Sequence, residues 1–270
     1  MLHNSQKDFI RRHIGPSEKD QEKMLKDLNF KSLDEFINST IPEKIQFKGE
    51  LNIGEPNSEY EALRKLKAIS KKNQIYSNFI GMGYYGTYTP YVILRNILEN
   101  PGWYTSYTPY QPEVAQGRLE MLLNFQQMIV DFTGMDIANA SLLDEGTAAA
   151  EAMGLSHRLN KSDSNLVFVS ENCHPQTIDV IQTRAEPMGL KVLVGNEDKV
   201  LEQLKEDIVC GVLQYPGTLG DIKDPSEAIS KIHKKNGKAI LICDLVALSM
   251  LKTPRELGAD IAVGRSQRCG

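Results

Sequence analysis

Residues 239–244 read Ala-Ile-Leu-Ile-Cys-Asp, five consecutive apolar residues followed by a carboxylate. An uninterrupted apolar run of this kind is typical of a strand that is buried on both faces of a parallel sheet. Outward from it, apolar runs and helix-like segments alternate along the chain. Strands are predicted at Leu166 to Val169, Leu190 to Val194, Ile208 to Gln214, Ala239 to Cys243 and Ile261 to Val263, and helices at Gln176 to Glu186, Lys199 to Lys205, Pro225 to Lys235 and Val246 to Leu251. The alternation predicts an α/β fold with a mostly parallel sheet.

The first 60 residues predict a helical arm and linker. Ser17 with Asp20, and Ser32 with Glu35, have the spacing of helix-start capping boxes, and apolar residues recur at helical spacing after each. Residues 61–270 are predicted to form the larger domain. Its helices before the sheet are expected at Tyr60 to Ser70, Val92 to Leu98 and Arg118 to Phe132.

Composition excludes several classes of protein. The chain carries 31 basic and 35 acidic residues, a net charge of -4, so electrostatic binding to nucleic acid is not supported. No apolar run approaches the roughly 20 residues that span a membrane. Four dispersed cysteines predict neither a zinc site nor a disulfide scaffold, and no metal site is expected. The start of the chain lacks a signal peptide's apolar core, so we expect a cytoplasmic protein.

The helix start at residues 145–151 is the first candidate for chemistry. Gly146 and the alanines that follow leave backbone N–H groups open to a phosphate, with the Thr147 hydroxyl as a further donor. The alternative is an alanine-rich packing helix. Asp144 and Glu145 favour that alternative, because their charges would repel a phosphate.

Two strand ends supply the other candidates. His174 follows the first strand, where an imidazole can stack on a planar cofactor or serve a structural role. Asp244 follows the strand at Ala239 to Cys243, where a carboxylate can pair with a protonated ring nitrogen or cap the next helix. Ligands bind beyond the carboxyl ends of parallel strands, so both positions suit a site.

A helix start, a strand-end histidine and a strand-end aspartate occur in this order in pyridoxal phosphate enzymes of the aspartate aminotransferase type. Such an enzyme needs a lysine after one more strand to hold the cofactor as an imine. The residues after that strand, 264–270, contain no lysine, and none follows Thr253. This chain alone is therefore not expected to bind pyridoxal phosphate covalently.

Several long stretches resemble the N-terminal part of the glycine cleavage system P-protein family, in its long single-chain form. They lie at residues 9–16, 81–90, 96–104, 107–111, 142–153, 173–177 and 258–261. The resemblance implies a lysine-free half with the fold type I of pyridoxal phosphate enzymes, truncated before its small C-terminal domain. Gln267 would stand where the other half has its lysine.

The resemblance also implies a function. The full-length enzyme would decarboxylate glycine and pass the aminomethyl group to the lipoyl group of the H protein. Its pyridoxal phosphate would be held by a lysine outside this chain, so no catalytic residue is predicted here. Thr147, His174 and Asp244 would match cofactor-binding positions. The segment alone is expected to be inactive.

The expected partners are glycine, the lipoyl-bearing H protein, the C-terminal half of the same protein and a second copy in a homodimer. Tyrosine- and glycine-rich stretches at Gly81 to Pro90 and Trp103 to Tyr110 are predicted to pack on the catalytic half. For these stretches the alternative is an aromatic-filled core under irregular loops. Two alternatives remain. One is an inactive scaffold of the same fold. The other is a dinucleotide-binding domain, against which the absence of a G-x-G-x-x-G motif counts.

Overall fold

The computed structural model describes residues 15–54, 57–104 and 110–269. The chain forms two compact units, of which the first ends at Ser77 and the second begins at Asn78. The predicted boundary between the helical arm and the larger domain, at residue 60, stays a prediction. No helix in the described ranges is both long enough and apolar enough to cross a bilayer.

The first unit contains short helices that begin at capping residues. They are α1 (Glu18–Asp27), α2 (Leu33–Thr40), a 3-10 turn (Glu43–Ile45) and α3 (Glu59–Ser70). Ser17 and Asp20 form a complete capping box on α1. On α2, Ser32 accepts from the Glu35 N–H, but the Glu35 carboxylate accepts from the Lys31 N–H at 2.8 Å, so the predicted reciprocal bond to the cap itself is not formed.

The second unit holds a sheet and the helices around it. Its helices are α4 (Tyr91–Ile93, continued by a π-helix at Leu94–Leu98), α5 (Pro101–Tyr104), α6 (Pro112–Thr133), α7 (Glu145–Leu159), α8 (Pro175–Ala185), α9 (Glu197–Gln203), α10 (Ser226–Lys234) and α11 (Pro254–Leu257). Its strands are β1 (Leu166–Ser170), β2 (Lys191–Gly195), β3 (Cys210–Tyr215), β4 (Lys238–Asp244) and β5 (Ile261–Arg265).

The strands pair in the order β2-β1-β3-β4-β5, and every pairing is parallel. The predicted α/β fold with a parallel sheet is confirmed. Register puts Asp244 of β4 opposite Arg265 of β5, so these two charged residues end neighbouring strands at the same edge.

Alternate residues along the strands point to opposite faces and build two layers of core. Val169 and Ile240 belong to the layer that packs against Met153 of α7 and Ile181 of α8. Phe168, Leu213 and Leu241 belong to the other layer, with Ile232 of α10 and Leu201 of α9. The alanine-rich start of α7 is buried, which lets this helix lie close to the sheet.

Several boundaries differ from the sequence predictions. The helix predicted from Arg118 belongs to α6, which begins at Pro112, is kinked at Ala115 and ends as expected at Gly134, whose φ of 69° suits a residue without a Cβ. The helix predicted at Val246 to Leu251 is only a 3-10 turn, Ala247–Ser249. The short helix α11 was not predicted, although Thr253 and Glu256 form a complete capping box on it.

Candidate functional site

The candidate site lies at the carboxyl edge of the sheet, within the second unit. His174 sits at the start of α8, just after β1, while Asp244 ends β4 and Arg265 ends β5. The start of α7 supplies Glu145, which reaches the same place. Crossovers of a parallel sheet bring these distant residues to one edge.

Thr147 belongs to the cap of α7. Its backbone N–H donates to Oδ1 of Asp144 at 2.8 Å, and its hydroxyl donates to the same oxygen at 2.6 Å. The Thr147 side chain, followed by its backbone N–H, holds the pKa of Asp144 below its usual range. The backbone N–H and the hydroxyl of Thr147, two of the donors predicted for a phosphate, are therefore engaged by a carboxylate of the same turn.

Glu145 is a buried acid, with 3% of its surface exposed. Its Oε2 lies 3.3 Å from Nε of Arg265, and its Oε1 lies 3.8 Å from Nε2 of His174. The Thr177 hydroxyl is 3.5 Å from Oε1. Burial raises the pKa of Glu145, and the Arg265 guanidinium opposes that effect. Glu145 is thus the centre of a buried polar cluster.

His174 is buried in that cluster. Its Nδ1 lies 3.1 Å from the Thr218 hydroxyl, opposite the edge that faces Glu145. Burial lowers the pKa of His174 to about 4, and the positive charge of Arg265 adds to the effect. The imidazole is therefore neutral at pH 7. It makes no side-chain cap bond to α8.

Asp244 has two partners. Its Oδ1 accepts from the Ala247 N–H at 2.9 Å, which caps the turn after β4, and its Oδ2 lies 2.6 Å from Nη1 of Arg268. The sequence left two functions open for Asp244, pairing with a protonated ring nitrogen and capping of the next helix. Its contacts show the capping function. The carboxylate is also already paired with a cation.

A loop of the tyrosine- and glycine-rich segment covers this edge. Arg265 lies over the Tyr84 ring at 4.0 Å, and Arg268 lies over the Tyr85 ring at 5.3 Å. Gln267 donates to the backbone oxygen of Gly83 at 3.2 Å. Three side chains at and just after the end of β5 thus hold the same loop. Of the tyrosine-rich residues 103–110, those at 105–109 lie outside the described residues.

Beside the cluster is a cavity of about 520 Å³. Its wall is largely apolar, with Phe125, Ile129 and Leu245, and Arg265 and Glu145 also line it. Thr147, His174 and Asp244 do not belong to its lining. The structure therefore brings the three predicted residues to the same edge of the sheet but does not direct them into the cavity.

Sequence reasoning missed Arg265 and Arg268 and gave Glu145 only a repulsive role. A charged residue at the end of an apolar strand was the available signal for Arg265. Its partners could not be found that way, because Glu145 and Tyr84 are distant in sequence.

Residues 11–270 match the family model of the glycine cleavage system P-protein. The chain belongs to this family. The resemblance stated from its motifs is confirmed.

Curated relatives agree with the assignment. The chain is 78% identical over 270 residues to a glycine dehydrogenase (decarboxylating) of Pelagibacter ubique, and it spans 28% of that protein. It is 53% identical over 262 residues to the enzyme of the same name in Stutzerimonas stutzeri, spanning 27% of it. The chain thus covers little more than a quarter of the length of these relatives, consistent with the predicted N-terminal part of a longer enzyme.

Similar solved structures identify the fold of the chain. A glycine decarboxylase (P-protein) of the glycine cleavage system, in inhibitor-bound form, matches with a TM-score of 0.83 and 30% identity, over 93% of this chain and 57% of that one. A sphingosine-1-phosphate lyase from Burkholderia pseudomallei shares the fold alone, at a TM-score of 0.54 and 15% identity, over 74% of this chain and 50% of that one. The predicted fold type I is confirmed.

Pyridoxal phosphate does not fit this edge as its side chains are arranged. A phosphate at the start of α7 would meet the carboxylates of Asp144 and Glu145, and a pyridine nitrogen at Asp244 would compete with Arg268. The assignment of Thr147, His174 and Asp244 as cofactor-binding residues stays a prediction, and their present contacts count against it.

Proposed function

We propose that this chain is part of a glycine decarboxylase of the glycine cleavage system. The complete protein removes the carboxylate of glycine as carbon dioxide and passes the aminomethyl group to the lipoyl group of the H protein. The observation that carries the proposal is the 78% identity, over all 270 residues, to the Pelagibacter ubique glycine dehydrogenase (decarboxylating). The matching P-protein structure supports it.

The cofactor of the proposed reaction is pyridoxal phosphate, which accepts the electrons left when the carboxylate departs. It is held by a lysine in the C-terminal half of the same protein, outside these 270 residues. Partners are glycine, the lipoyl-bearing H protein and a second copy in a homodimer. Location in the cytoplasm stays a prediction.

The described residues support the reaction by building a framework. Arg265, Gln267 and Arg268 hold the loop at Gly83 to Tyr85 against the sheet. Further along the same tyrosine-rich segment, Tyr88 is 72% exposed. We assign to such exposed rings the packing on the catalytic half that the sequence predicts.

The test uses the full-length protein that contains this chain, with glycine labelled at the carboxyl carbon. Release of labelled carbon dioxide should require pyridoxal phosphate and lipoylated H protein, while H protein without the lipoyl group is the matched control. Residues 1–270 alone should release none. A full-length protein that binds H protein but releases no carbon dioxide would instead support the inactive scaffold.

A further inference from the structure

Arg265, the last residue of β5, places a cation two residues before Gln267, the position where the family pattern has a lysine. Arg265 is a residue of low exposure, 11% for its side chain, and it pairs with the 4% exposed side chain of Glu145. The Tyr84 ring covers the guanidinium at 4.0 Å. Buried ion pairs of this kind are costly to break, because one charge is left without a partner.

The loop leaves little room around this pair. A Cβ built on Gly83 would lie 2.6 Å from Nη1 of Arg265 and 2.9 Å from Nε2 of His174, so guanidinium and imidazole both abut the same glycine. Gly83 has a φ of 80°, which also favours glycine. A ring stacked on His174 from this side would have to displace the guanidinium or the loop.

The charges of nearby side chains also oppose the binding of pyridoxal phosphate. Asp144 and Glu145 begin α7, where a phosphate would need donors, and the Thr147 donors are already bound to Asp144. Asp244, the predicted partner of a protonated ring nitrogen, is neutralised by Arg268. The side chains of Thr147, His174 and Asp244, which were predicted to recognise the cofactor, thus each have a partner within the protein itself.

We propose that Arg265 and Glu145 act as a built-in plug that closes this half to pyridoxal phosphate, so that a lysine at position 267 would not by itself restore cofactor binding. The absent amine is then one of two barriers, and the filled site is the other. The location of the cofactor position rests on the proposed function; the contacts of the plug do not.

The plug is tested in the full-length protein by Q267K and by E145Q/R265A/Q267K. Each is incubated with pyridoxal phosphate and reduced with borohydride, and peptides are mapped for a pyridoxyl group on the new lysine. Exposed Lys252 in the same digest measures background labelling. E145Q/R265A, which retains Gln267, is the matched control for folding and removes both charges together.

Labelling of the new lysine in Q267K should equal that of Lys252. In E145Q/R265A/Q267K it should rise about tenfold or more, the factor that corresponds to about 1.4 kcal/mol. If this variant does not fold, E145Q/R265N/Q267K, which retains polar groups at both positions, should show a rise in the same direction. Specific labelling in Q267K alone, or no rise in a folded variant without the pair, would overturn the proposal.

The result is separable from the proposed function. A parent protein that carries no pyridoxyl group on any lysine outside residues 1–270 and releases no carbon dioxide contradicts the proposed function. The comparison between Q267K and its variant without the ion pair still decides whether the plug excludes the cofactor.

Discussion

The two units of the chain use apolar residues in opposite ways. In the second unit the three central strands, β1, β3 and β4, bury nearly every apolar side chain, and Phe168, Ile240 and Leu241 are 0% exposed. Among the described residues of the first unit no apolar side chain is buried, although α1 to α3 have apolar residues at helical spacing. Local capping therefore specifies these helices, whereas burial specifies the sheet.

The largest expected effect is the difference in stability between replacing a buried phenylalanine of the second unit and replacing an exposed phenylalanine of the first unit. Phe168→Ala removes a fully buried ring and should lower the free energy of unfolding by about 3–5 kcal/mol. Phe47, in the first unit, is 70% exposed. Its replacement by alanine should change stability by less than about 0.5 kcal/mol. Urea unfolding of both variants measures the difference; comparable losses would contradict the contrast drawn between the units.

Ion pairs should show the same contrast. Glu145→Gln leaves the buried Arg265 guanidinium unpaired and should cost about 3–5 kcal/mol. Glu43→Gln breaks the pair with Lys48, whose side chains are 83% and 65% exposed, and should cost about 0–1 kcal/mol. E145Q/R265M should recover much of the buried loss in a double-mutant cycle. Additive losses would show that the two residues do not interact.

The sequence was sufficient for the sheet and insufficient for the polar cluster. A run such as residues 239–243 identifies a buried strand by itself, because each member contributes to the same pattern. The pairing of Arg265 with Glu145 and its stacking on Tyr84 depend on three chain segments that only the fold brings together. The position of His174 was predicted correctly, yet its environment was not.

A smaller effect should appear on acidification. Burial lowers the pKa of His174 from 6.5 to about 4, so between these values the unfolded chain binds a proton that the folded one does not. Stability should therefore fall as pH decreases through this window, by about 2–3 kcal/mol. Glu145, with its raised pKa, titrates in the opposite sense. The His174 contribution is consequently measured as the difference between the parent and His174→Gln.

The check is urea unfolding of both proteins at several pH values. The unfolding free energy of the parent minus that of His174→Gln should decrease as the pH is lowered from 6.5 to 4. The described histidines, His157, His174 and His233, all lie in the second unit. The pH dependence should therefore be measured on the unfolding of the second unit. A difference independent of pH would mean that the imidazole remains solvated.

The smallest effect distinguishes the two kinds of helix cap. Asp144→Ala and Ser17→Ala each remove a complete capping box, worth about 1 kcal/mol. Because α7 packs on the sheet, its lost cap should lower global stability. Helix α1 buries no residue, so its lost cap should accelerate hydrogen exchange only within Glu18–Asp27. Asp144→Asn and Ser17→Thr retain a cap acceptor and should largely restore each property. If Ser17→Ala also lowered the unfolding free energy of the sheet, α1 would be coupled to the core, and local capping would not account for its stability.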